Sequence, residues 1–165
     1  MPTQVSGFRL SETRIHEDPR VGTWYTYLLG GRRVTANVAV QPAVTPSGEP
    51  IPADSVLATA VRQIRGLPRT ADSTLMTYTF VRDAADTLVL GSRRLPGHVI
   101  TARVRQQGRD YDRAWHIYFL GDRYVRVMSN ISATGVPESR TEADRQQLAT
   151  FVREVLPAVI SAWRL

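Results

Sequence analysis

Trp115-His116-Ile117-Tyr118-Phe119-Leu120, then Gly121-Asp122, then Arg123-Tyr124-Val125-Arg126-Val127-Met128: the architecture of the chain turns on this stretch. Aromatic and β-branched residues crowd both flanks, and two residues of hairpin chemistry separate them, so the segment reads as two antiparallel strands. Side chains alternate across a strand, which groups Val125, Val127, Ser129 and Ile131 on one face and Tyr124, Arg126, Met128 and Asn130 on the other. The first group is expected to face the core. His116 shares a face with Ala114 and Tyr118.

Upstream, the region from Ser73 to Ile131 shows little helical periodicity. It divides into strands at roughly 74–82, 86–92, 98–106, 113–120 and 123–131, joined by short turns such as Gly108-Arg109-Asp110. Residues 8–40 also read as strands. Gly30-Gly31 forms a hairpin between Gly22–Leu29 and the alternating run Val34, Ala36, Val38, Val40. The segment 41–52 holds four prolines and is expected as a surface loop. Asp54 or Ser55 can cap a short helix with Leu57, Ala60, Val61 and Ile64 on one stripe, stopped by Gly66 and Pro68. Ser139 or Thr141 opens a long C-terminal helix with Leu148, Phe151, Val152, Val155, Leu156, Val159, Ile160 and Trp163 inward and Asp144 outward, kinked or broken at Pro157 with a final turn from Ala158 to Trp163. The fold class is therefore α+β: a mostly antiparallel sheet of about six or seven strands, packed by a short helix and a long C-terminal helix.

The 165 residues suit a single domain spanning 1–165, with 42% apolar and 22% charged residues, a composition that folds unaided. Without cysteine there is no disulfide, thiolate nucleophile or cysteine-ligated zinc. No stretch reaches the roughly 20 apolar residues of a membrane-spanning helix, so the chain is expected to be soluble. The first seven residues do not read as a signal peptide. The compartment stays open between the cytoplasm and, if a leader has been removed, the bacterial periplasm or envelope. All 21 basic residues are arginine, and the net charge is +6. Guanidinium groups suit polyanions, but arginines scattered without a block also follow from a GC-rich genome.

Chemistry-bearing patterns are sparse. His16, His98 and His116 form no His-Glu-x-x-His pattern, and no metal or cofactor site is expected. His16-Glu17-Asp18 and Asp110-Tyr111-Asp112 read as solvated turns, the second at a hairpin tip. Nucleophile-elbow, P-loop and dinucleotide glycine patterns are absent, and no catalytic residue is assigned. One possible binding face gathers Arg103, Arg105, Arg113, His116, Tyr118, Tyr124 and Arg126, arginines interleaved with aromatics on neighbouring strands.

The order of elements, together with Gly97-His98-Val99-Ile100-Thr101-Ala102-Arg103-Val104 and Gly121-Asp122-Arg123-Tyr124-Val125-Arg126-Val127, resembles the Mog1 and PsbP-like α/β/α sandwich family over most of the chain. Members generally act as binding or assembly modules, often in bacterial lipoproteins or at photosystems, so the resemblance implies an adaptor more than an enzyme. It carries no functional residue over to a position here. Three readings follow. The first is a non-catalytic binding or assembly module using an exposed sheet face or the sheet-to-helix groove for a protein or cell-envelope partner. The alternative is a small-ligand-binding protein or small enzyme with a pocket between the C-terminal helix and the sheet, lined by His116, His98 or Tyr118. The third is polyanion binding, to nucleic acid or acidic lipid, through the arginine face, which demands steep salt dependence. Partner identity and oligomeric state are not encoded in any motif.

Overall fold

The computed structural model describes residues 1–18, 21–30, 33–70 and 75–162. Its strands are β1 (Gln4–Val5), β2 (Phe8–Ile15), β3 (Thr23–Leu29), β4 (Val34–Pro42), β5 (Met76–Leu90), β6 (Arg93–Gln106), β7 (Arg109–Phe119) and β8 (Arg123–Ser132). Helix α1 (Ala53–Thr70) precedes β5, and α2 (Glu138–Ala162) ends the described chain. The strands form one sheet, antiparallel throughout, in the order β1-β2-β3-β4-β8-β7-β6-β5. Two meanders therefore meet at β4 and β8, and the α1 crossover lets the second begin at the far edge.

The β7–β8 turn is the one read from the sequence. Gly121 takes φ +103° and Leu120 N–H donates to the Arg123 carbonyl at 2.8 Å, a two-residue hairpin with the left-handed residue first. The segments expected at 74–82 and 86–92 are one long strand, β5, which absorbs Asp83 to Ala85 across a bulge between Phe80 and Arg82. That merger and the added β1 bring the sheet to eight strands among the described residues. The Gly30-Gly31 turn, the start expected at residue 74 and Trp163 lie partly or wholly outside the described residues.

The helices take opposite faces and opposite halves of the sheet. Helix α1 lies on β5, β6 and β7, where Ala60, Val61 and Ile64 bury against Ile100, Val104, Trp115 and Ile117. Helix α2 lies on the other face over β8 and β1, and Phe151, Val155 and Leu156 bury against Phe8, Tyr27, Val38 and Val127. The Phe151 ring stands 4.4 Å from Phe8 and 5.1 Å from Tyr27.

Helix α1 outruns its sequence-read stop, and α2 is not broken where its proline falls. Helix α1 continues through Gly66 and Pro68, with Leu67 packed against the second core. Helix α2 starts at Glu138 and continues through Pro157, whose neighbours Val155, Leu156 and Val159 are buried and hold that turn. Thr141 is inside α2, its hydroxyl donating to the Pro137 carbonyl at 3.3 Å. Asp144 is also not outward: it is 4% exposed, one turn before Leu148 on the inner stripe, ion-paired with Arg33 and 3.8 Å from Arg140. A carboxylate on a buried stripe is tolerable only when so paired.

Candidate functional site

With each helix on one half of the sheet, the α2-side face of β5–β7 is left without a helix directly above it. The register fixes what lies there. Arg82 pairs with Thr101, Thr101 with Ala114, Ala114 with Ser129, and Ser129 with Ala36, so a row of small side chains crosses β6, β7, β8 and β4. The rows to either side are larger: Val99, His116 and Val127 on one, Arg103, Asp112 and Ile131 on the other. A trough of small residues between two taller rows, roofed on one side by Leu148 and Ala149 of α2, leaves a half-open cavity of about 440 Å³. Such a volume accommodates a small organic ligand. A second hollow of about 510 Å³ continues it toward Thr77 and Tyr111, sharing Arg103, Asp112, Glu138 and Arg145.

His116 and Ser129 line the cavity, and His116 Nδ1 and Ser129 Oγ are both cut off from solvent without a hydrogen-bond partner among the described residues. Unpaired buried polar atoms cost free energy, and both of these side chains border the cavity. Burial pulls the His116 pKa down to about 4, against the raising effect of Asp86 and with a smaller lowering from Arg82, so the ring is neutral near pH 7. Beside it, Tyr118 is 3% exposed and donates to Asp86 Oδ2 at 2.6 Å; burial and then that bond hold its hydroxyl protonated. Gly97 faces Tyr118 across the β6–β7 pair, and the ring occupies the space a Cβ would need.

The α2 wall is set by Arg145, which reaches Asp112 at 2.5 and 2.9 Å, Glu138 at 2.8 Å and Glu142 at 2.9 Å. Asp112 therefore lies within β7 and not at a hairpin tip, since the turn is made one step earlier by Gln107 and Gly108, both at positive φ. The opposite rim is cationic: Arg82 and Arg103 are exposed, border the cavity and form no ion pair among the described residues. Arg105, two positions on, stands 4.0 Å from Asp110.

The seven residues read as one binding face do not share a face. Arg103, Arg105, His116 and Tyr118 are on the α2 side. Arg113, Tyr124 and Arg126 alternate to the α1 side, where Arg113 donates to Asn130 and Tyr78 and Arg126 stacks 5.3 Å over Trp24. Burial lowers the Arg126 pKa, and a guanidinium so enclosed is engaged internally. His98 is also on the α1 side, 2.6 Å from Asp83, whose carboxyl is held low chiefly by its bond to Arg65. The small-residue row leaves no signal in the sequence, because Thr101, Ala114 and Ser129 are ordinary until register aligns them. No cluster of metal-binding side chains occurs among the described residues, and no helix there is long and apolar enough to cross a membrane.

This architecture has a counterpart among solved structures. The solution structure of cyanobacterial PsbP (CyanoP) from Synechocystis sp. PCC 6803 matches with a TM-score of 0.57, covering 90% of this chain and 85% of that one. The fold is PsbP-like. Sequence identity is 8%, so the likeness concerns the fold alone. No family model matches the sequence. No curated protein matches it either.

Proposed function

We propose that the protein is a non-catalytic binding module whose ligand enters the cleft between α2 and strands β5–β7. The observation that carries this reading is the half-open cavity of about 440 Å³ beside α2, floored by the row of small side chains and bordered by His116 and Ser129. The same geometry argues against acyl-transfer chemistry. Ser129 and His116 are not hydrogen-bonded to each other, and the nearby Asp86 is engaged by Tyr118 and does not orient the imidazole. Fragment screening by amide chemical-shift mapping tests the proposal. Shifts clustered at Thr101, Ala114, His116, Ser129 and Ala149, and lost in Ala149→Trp, support it; hits that map elsewhere, or persist in that variant, refute it.

A second reading, a protein partner, has its own observation. Strand β5 is a free edge of the sheet, 15 residues long, with Val81 65% and Val89 56% exposed. Long apolar edges invite an added strand from an extended segment of another protein. Partner capture lost in Thr87→Glu/Val89→Glu, which leaves the cleft lining untouched, and retained in Ala149→Trp supports this reading. Capture indifferent to the edge charges rejects it.

A further inference from the structure

Resting on the cleft reading above, we infer that the cleft selects an organic anion: a molecule with one acidic group held by Arg82 and Arg103 at the mouth and an apolar body lying along the small-residue trough. The placement follows from register. Arg82 pairs with Thr101, and Arg103 is the next residue on the same face, so the two guanidinium groups spring from diagonal neighbours across β5 and β6. Like charges so placed repel, and among the described residues no carboxylate is ion-paired with either. An oxyanion between them removes that repulsion and gains charge-assisted hydrogen bonds.

The carboxylates on the lining do not oppose this assignment. Asp112, the β7 partner of Arg103, and Glu138 of α2 are both bonded to Arg145. Those carboxylates thus already have a cation of their own, whereas Arg82 and Arg103 have no ion-pair partner among the described residues, and an anion enters from the β5 side. Behind the mouth, Val99, Ala114, Ile131, Leu148 and Ala149 supply apolar walls. His116 and Ser129 also border the cleft, neutral and able to donate or accept after a side-chain rotation, which suits a polar but uncharged function on the ligand's body.

Two dyes that share one ring system make the test. 8-Anilinonaphthalene-1-sulfonate carries the anion; N-phenyl-1-naphthylamine lacks it. Binding is read as fluorescence enhancement against the wild-type protein, Arg82→Ala/Arg103→Ala, and Ala149→Trp. The tryptophan is placed at an exposed helix position, so it fills the cleft without disturbing the core, and circular dichroism checks that each variant is folded. The expected result is that the sulfonate binds in preference to the neutral dye. The arginine double variant weakens the sulfonate by about tenfold or more, the range of one or two charged hydrogen bonds, and leaves the neutral dye unchanged. Ala149→Trp abolishes both. If both dyes bind equally and the arginine variant changes neither while Ala149→Trp blocks both, the anion assignment is overturned and the cleft reading stands. If neither dye binds, or Ala149→Trp leaves binding intact, both fall.

Discussion

His116 makes the stability of this protein depend on pH in a defined window. In the unfolded chain its imidazole takes up a proton near pH 6.5; in the fold, burial delays this to about pH 4. Between those values the unfolded state binds a proton that the native state does not, so stability falls as pH falls and is fully present above pH 6.5. The two pKa values lie about two and a half pH units apart, and at 1.36 kcal/mol per unit the contribution lost on reaching pH 4 is about 3 kcal/mol. Urea unfolding at pH 7, 6, 5 and 4 measures it, with His116→Leu as reference because leucine keeps the bulk of the ring without the titration. The difference between the two proteins should grow by about 3 kcal/mol toward pH 4, while the His116→Leu substitution costs less than about 1.5 kcal/mol at pH 7. Parallel pH profiles would refute the burial argument, as would a His116 ring titrating near 6.5 by NMR.

Other perturbations have outcomes set by packing and pairing. Phe151→Ala should cost about 3 to 5 kcal/mol in chemical denaturation, because the ring is fully buried between Phe8 and Tyr27; a loss under about 1 kcal/mol would contradict the core described. Gly97→Ala sets a methyl group against the Tyr118 ring and 2.6 Å from the Ile117 carbonyl, so a loss of about 1 to 3 kcal/mol is expected in thermal melts, and Gly97→Ala/Tyr118→Leu should recover part of it. Asp144→Ala leaves Arg33 half-enclosed without its carboxylate; the expected cost is about 2 to 3 kcal/mol, under the full range for a wholly buried pair because the Arg33 side chain keeps 20% exposure. A neutral result for that variant would place Asp144 at the surface.

Spacing along the chain settles faces and turns. Alternation in Val125–Ile131 set which residues of β8 face α2, the 3.6-residue stripe from Leu148 to Val159 set the inner face of that helix, and Gly121-Asp122 set a two-residue turn, because each depends on a few neighbouring residues. Gly66 and Pro68 read as a stop and Pro157 as a kink or break, yet both helices run through them, for the opposite reason. Their local penalties are a few kcal/mol at most, and burial of Leu67, Val155, Leu156 and Val159 outweighs them, a quantity visible only once the sheet is assembled. The candidate site belonged wholly to the tertiary level. His116 and Arg103 could be singled out as residue types, but whether they meet depends on strand order and register. The same alternation that keeps them on the α2 side sends Arg113 and Arg126 through to the other. The row from Arg82 through Thr101 and Ala114 to Ser129 joins residues up to 47 positions apart on β5, β6, β7 and β8. Small side chains carry no signal singly, and only their alignment beside α2 makes a cavity of them.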